Sequence, residues 1–207
     1  MHRQKVDGQP AFVLHSYPFR ETSLIVEVFS RDYGRVALLA RGARRPRSAL
    51  RGLMLAFQPL ELSWAGKGEV RTLMKAEWQG GLPLLTGKAL FWGYYLNELL
   101  LDLLPREDAH ARLFAVYAET LHRFSKGPVE SDIRRFEHAF LKELGYGLSL
   151  VNDVDDFPID PNGYYVYEIE RGPVRLSVPG ESSLSMSGKT LLDLAAEDFS
   201  EIGRAHV

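Results

Sequence analysis

Two kinds of spacing divide the chain. Up to about residue 80 the apolar positions come in short runs with the two-residue period of a strand, and from residue 83 they recur at helical spacing. Ala11 to His15, Ser23 to Phe29, Arg35 to Arg41, Phe57 to Trp64 and Glu69 to Trp78 are rich in β-branched and aromatic residues and read as five strands. In the last run Val70, Thr72, Met74, Ala76 and Trp78 share one face, and Glu69, Arg71, Leu73, Lys75 and Glu77 share the other. Asp32-Tyr33-Gly34 and Gly66-Lys67-Gly68 supply turn chemistry between runs. Five strands in about 70 residues suit a small closed barrel, because closure removes exposed edges.

The second part reads as mainly helical. Thr86 to Leu104 is apolar on most faces, with Asn97, Glu98 and Asp102 interrupting it, and Pro105 stops it. Asp108 to Ser125 carries a stripe of Leu113, Val116, Tyr117, Thr120 and Phe124. Ser131 is placed to cap a helix whose stripe is Ile133, Phe136, Phe140 and Leu144, and Gly145 ends it. Residues 148–163 read as an acidic loop, Tyr164 to Glu170 with Val174 to Val178 as a β-hairpin, and Ser187 to Glu197 as a last amphipathic helix. The expected fold is α+β: a barrel over roughly 1–80, then a helical domain over 81–207 with a small hairpin insertion.

Charge sharpens this division. Residues 1–80 hold 13 Lys and Arg against 7 Asp and Glu, while the remainder holds 12 against 20. A basic front on an acidic back points to two units with different partners. Arg41, Arg44, Arg45, Arg47 and Arg51 fall within eleven residues, and no acid stands between Asp32 and Glu61. Pro46 and the small residues around it argue for a loop. Arginine matches phosphate with a fixed fork of donors, so a basic loop beside a barrel is the electrostatic part of a nucleic-acid site. The rival reading is a solvated charged loop, which carries a cost in self-repulsion. Aromatic residues able to stack on bases stand in the same part, with Tyr17, Phe19 and Tyr33 nearest to turns. For most of the others a place in the core is the simpler expectation.

Catalytic motifs are weak. Ser187-Gly188-Lys189-Thr190 ends like a phosphate-binding loop, but Ser183 stands where that loop needs glycine, and Ser187 reads better as a helix cap. Asp153, Asp155, Asp156 and Asp160 lack the glycine and distal glutamate of a calcium loop. Cysteine is absent, so no disulfide or thiolate-held metal is available, and the six histidines are scattered. The polar first residues lack a signal-peptide core, and no apolar run is long enough to span a bilayer. On the Ile133 helix, Arg134 and Leu141 edge the apolar stripe, while Arg135 and Lys142 lie on the far side. An arginine beside an apolar groove suits a peptide that carries a carboxylate and an apolar side chain. The plainer alternative is a rim salt bridge to Glu137 or Glu130.

The stretches AFVLHSYPFRETSLIVEVFSRDYGRVALLARGARRPRS (11–48) and PLELSWAGKGEVRTL (59–73) resemble the amino-terminal domain of the RecO recombination-repair family. The likeness continues in order through GYYLNELL (93–100), IRRFEHAFLKELGYG (133–147) and SGKTLLDLAAEDF (187–199). It implies an OB-fold barrel followed by a helical domain, in a non-enzymatic, cytoplasmic, nucleoid-associated mediator. It implies binding of single- and double-stranded DNA, annealing of complementary strands, partnership with RecR, and recruitment to the tail of the single-stranded-DNA-binding protein SSB so that RecA can be loaded. DNA contact is then expected at Arg35, Arg41, Arg44, Arg45, Arg47 and Arg51. The SSB tail is expected at Arg134, the counterpart of a pocket residue in the family, with Phe136, Phe140 and Leu141 as apolar walls. Many members carry a four-cysteine zinc site after the Gly-Tyr-Gly found here at Gly145 to Gly147; without cysteine, neither zinc nor any other cofactor is expected. Members usually continue past the Glu-Asp-Phe at Glu197 to Phe199 into a further helix and a basic end, so an end at Val207 is expected to remove some DNA affinity. A pure protein adaptor and a nucleic-acid-processing enzyme are the competing classes.

Overall fold

The computed structural model describes residues 5–178 and 184–199, so Ser183 and the end at Val207 lie outside the described residues. Five strands, β1 (Lys5–Phe19), β2 (Ser23–Ser30), β3 (Gly34–Ala40), β4 (Pro59–Ala65) and β5 (Val70–Trp78), close a barrel in the order β1-β2-β3-β5-β4. Neighbours are antiparallel except β3 and β5, which run parallel from Ala37↔Val70 to Leu39↔Thr72. This is the five-stranded OB-fold expected, with a one-turn helix α1 (Leu50–Leu53) before β4 that the loop reading did not foresee.

β1 is much longer than the run Ala11 to His15, because it bends to pair with both β2 and β4. Its register slips between Val6 and Gln9, where Gly8 takes a φ of 61°, and again between Val13 and His15. Each extra residue tightens the curve that closure demands. At the second slip Val13 and Leu14 are both buried: Val13 joins the barrel interior with Val26, Val28, Leu38, Leu62 and Trp64. β5 departs from simple alternation for the same reason. Trp64 pairs with Leu73 and Ser63 with Lys75, which leaves Met74 as an extra residue. Arg71 and Leu73 therefore face inward, opposite to the apolar set, while Val70 and Met74 are exposed. Past Met74 the phase is reversed, so Ala76 and Trp78 return to the side of their inward partners Leu62 and Leu60.

Two helices, α2 (Gly87–Leu103) and α3 (Ala111–Lys126), pack on the outside of β1 and β2. Phe12 and Phe29 meet Phe114 and Tyr117 with ring centroids 5.3 to 6.0 Å apart. Asn97, nearly fully buried on α2, donates to the Leu14 carbonyl at 2.8 Å and accepts from the Tyr117 hydroxyl. Burial pushes the Tyr117 phenol well above its ordinary pKa, so it stays a donor. The link from α2 to α3 lies along the start of β3: Glu107 N–H donates to the Arg35 carbonyl at 3.0 Å. Gly34, at φ 63°, leaves no space for a Cβ beside the Asp108 carbonyl.

Contacts group the chain into two compact units, Met1–Pro128 and Val129–Val207. The second contains α4 (Glu130–Glu143), β6 (Tyr164–Glu168), β7 (Gly172–Arg175), β8 (Ser185–Ser187) and α5 (Gly188–Ala195), with sheet order β7-β6-β8. The expected hairpin is β6 and β7; β8 adds a third strand too short to show a period. At the start of α4 the Asp132 carboxylate, not Ser131, accepts the Val129 N–H, at 3.4 Å. Gly145, at φ 86°, closes the helix with Tyr146 N–H bonded back to the Leu141 carbonyl. Ser187 caps α5 as expected, accepting from Thr190 N–H at 3.1 Å. In the acidic loop Asp153 gathers the N–H groups of Asp155 and Phe157, and Asn152 donates to Asp156.

The Asn97 contacts give a direct test. Asn97→Leu takes the donor from the buried Leu14 carbonyl and one acceptor from the Tyr117 hydroxyl, at a cost of about 1–3 kcal/mol. Urea unfolding should show that loss, and Tyr117→Phe should cost less in the Asn97→Leu background than in the wild type, because the bond between the two side chains is already gone.

Candidate nucleic-acid interface

The segment from Arg41 to Met54 caps one end of the barrel. Ala43 is fully buried in the barrel core, and Leu50, Leu53 and Met54 pack against the same core. Arg41, Arg44, Arg45, Arg47 and Arg51 occupy the intervening positions and are all exposed. The loop is thus two-sided: its small and apolar residues seal the barrel, and its arginines point to solvent. Successive turns hold it, through Arg45 N–H to Gly42 O, Ser48 N–H to Arg45 O and Arg51 N–H to Ser48 O.

This cap crosses the β1–β2 turn. Arg44 N–H donates to Thr22 O at 2.8 Å, and the Arg44 guanidinium donates to Arg20 O at 3.3 Å. Arg20, which sequence reasoning missed, thereby joins the cluster; it is exposed, with its guanidinium 5.3 Å from the Phe19 ring centroid. Only the pairing of β1 with β2 brings this lone cation to the loop. Glu21 is the acid nearest in sequence.

The electrostatics of this end differ from the rest of the surface. Among the described residues no carboxylate pairs with Arg20, Arg41, Arg44, Arg45, Arg47 or Arg51. Elsewhere, Arg31, Arg71, Arg106, Arg123, Arg134, Arg135, Arg171 and Arg175 each hold an acid, and exposed Arg112 on α3 stands singly without one among the described residues. Six like charges left uncompensated on one barrel end create a field that a polyanion relieves.

Arg35 stands apart from this group. It is half-buried on β3, and its guanidinium donates to the Leu101 carbonyl of α2 at 2.6 Å. Nearby, buried Glu27 pairs with Arg106, and buried Arg71 with Glu107 at 2.8 Å. These charges join the barrel to the α2–α3 link and do not extend the exposed arginine surface. Of the aromatic candidates, Tyr17 is exposed beside His15, Phe19 is half-covered, and Tyr33 packs edge-on against buried Trp64 at 5.4 Å. Trp78, available for stacking by sequence but expected in the core, is 58% exposed at the same barrel end as α1.

On α4 the expected tail site takes a different form. Phe136 and Phe140 are buried, with rings 5.8 Å apart, so they are core residues and not the walls of an open groove. Leu141 is partly exposed. Arg134 is held by Glu137 at 2.7 Å and by Glu130 at 3.2 Å, and the Glu137 hydrogen bond raises its pKa further. The rim salt bridge is therefore present. Arg135 is the residue set against an aromatic, 5.7 Å from the Phe199 ring centroid, while also 3.4 Å from Asp132. The wheel put Arg135 on the far side because the segment that brings Phe199 to α4 is distant in sequence. Among the described residues no group of three or more His, Cys, Asp or Glu is arranged to hold a metal, and no helix is long and apolar enough to cross a membrane.

Known proteins bear on both parts of the chain. Residues 6–81 match the family profile described as recombination protein O N terminal, and residues 84–204 match recombination protein O C terminal. A DNA repair protein RecO from Dechloromonas aromatica is 66% identical, over 99% of this chain and 86% of the relative. One from Aromatoleum aromaticum is 60% identical, over 96% and 83%. One from Ralstonia nicotianae is 52% identical, over 95% and 73%. With two profiles spanning nearly the whole sequence and relatives this similar, the chain belongs to the RecO family of DNA repair proteins.

Proposed function

We propose that the arginine cap binds single- and double-stranded DNA without reading sequence, and that the protein uses it to anneal complementary strands. In this reading it is a mediator and not an enzyme. It works in the cytoplasm with RecR and helps load RecA on SSB-coated DNA. Residues 1–80 carry the DNA contacts and 81–207 the partner contacts. The observation that carries the proposal is the clustering, at one barrel end, of six exposed arginines that have no carboxylate partner among the described residues. A protein adaptor would need an acidic partner to meet the same field, and its binding would not follow phosphate count.

The SSB tail is proposed to bind α4 at Arg134. Its terminal carboxylate would replace Glu130 and Glu137 on the guanidinium, its phenylalanine would rest on exposed Leu141, and Phe136 and Phe140 would support that surface from beneath. Exchange of one carboxylate for another on an exposed side chain yields a modest net gain.

Three measurements follow. Replacing Arg44, Arg45 and Arg47 together with Gln should weaken oligonucleotide binding and flatten its log–log salt dependence by roughly 0.7–0.9 per lost phosphate contact. Unchanged affinity and slope would leave the cap as a solvated face. Arg35→Ala should leave that slope intact and instead lower the unfolding midpoint, since it removes a bond to the Leu101 carbonyl. Arg134→Ala should weaken binding of a labelled SSB tail peptide by about 1 kcal/mol. A larger loss for Arg135→Ala in the same anisotropy assay would move the seat to the Phe199 side.

A further inference from the structure

Beside the arginine cap lies a cleft of about 340 Å³ between α1 and the end of β5. Gly52 and Leu53 of α1 form one wall, Trp78 and Leu84 stand on the rim, and Gln58 lies deep within it. Most of the lining is apolar. Trp78 comes here because the extra residue Met74 reverses the phase of β5 and sends the indole to the inward side, just past the last closed layer. Gln58 is only 8% exposed, and its amide oxygen accepts from Trp78 Nε1 at 3.2 Å. That bond fixes the amide orientation and leaves Nε2 as a buried donor with no partner among the described residues. An unspent buried donor is costly, and one that lines a cleft is a place for an acceptor to bind.

We infer that this cleft takes one unpaired nucleobase of the strand whose phosphates lie on the arginine cap. Three requirements of such a site meet here. The wall formed by α1 also carries exposed Arg51, so charge for the phosphate and apolar surface for the base are adjacent. The exposed indole offers a face on which any base can stack. Gln58 Nε2, buried as it stands, offers a donor to the ring nitrogen or carbonyl acceptors that every base carries, once an entering base opens the packing around the amide. Duplex DNA keeps its bases stacked and paired, so it gains from the arginines and not from the cleft. The site thus gives the cap a preference for unpaired strands that charge alone cannot supply.

The inference rests on DNA binding at the cap, and the test separates the two. Affinities at fixed low salt are measured for an oligothymidine, for an abasic strand of equal length and for a duplex. Wild type should prefer oligothymidine to the abasic strand by roughly five- to a hundredfold, the range for one base stacked on an aromatic ring. Trp78→Ala should abolish that preference while duplex affinity holds, and Trp78→Phe should keep most of it. A Cβ at Gly52, which lines the cleft, meets nothing within 4 Å, so the backbone there has room for a side chain, and Gly52→Leu, by narrowing the cleft, should also abolish the preference. If Trp78→Ala disturbs the barrel and lowers duplex binding too, Gly52→Leu decides. A preference unchanged in Gly52→Leu overturns the cleft, even where the triple arginine variant loses affinity for all three probes. Equal wild-type affinity for oligothymidine and abasic strand overturns it too, and leaves the cleft to a peptide side chain. Full affinity of the triple arginine variant for every probe removes the cap and the cleft together.

Discussion

The first unit depends on one buried amide. A bulge in β1 turns the Leu14 carbonyl out of the strand ladder, and Asn97 of α2 supplies the missing donor. The same amide accepts from Tyr117 of α3, whose ring packs on Phe12 and Phe29 of the barrel wall. Barrel curvature, the seating of α2 and the seating of α3 are therefore satisfied by a single side chain. Remove it and the bulge has an orphaned carbonyl, which water cannot reach. That explains why a polar residue stands in the middle of a helix that is otherwise apolar on most faces.

A rigid barrel matters because the arginine cap has no regular structure beyond one turn of helix. Its position is set from below, by Ala43, Leu50, Leu53 and Met54 in the core, and from the side by the β1–β2 turn. The repulsion among its cations is thus borne by the packing of the barrel. Proteins commonly place binding residues on loops held by a rigid scaffold. Here the loop also closes the scaffold, so the groups that bind and the groups that seal alternate along one short stretch.

The sequence makes some of this legible. Strand period, turn glycines and the run of arginines without acids pointed to the barrel and its basic end. Ser187 and Gly145 marked helix limits through local geometry that any context preserves. What stayed hidden depends on long-range pairing. Arg20 is an isolated cation until the cap crosses its turn. Trp78 reads as one residue of an alternating face until the extra residue Met74 reverses the phase. Arg35 looks like its neighbours until α2 offers it a carbonyl. On α4 the helical period placed Phe136 and Phe140 correctly on one stripe, but no periodicity reveals whether a stripe faces a groove or a filled core.

The acidic loop has a consequence for chemistry outside the fold. Asp153 collects the N–H groups of Asp155 and Phe157, and Asn152 ties down Asp156, so the turn is drawn together by side-chain oxygens. Thiolates that gather a loop around a metal can be oxidised or stripped by a chelator. Carboxylate and amide oxygens offer neither electrons to an oxidant nor a metal to remove. The bonds that shape this turn therefore depend on neither the redox state nor the metal supply of the surroundings.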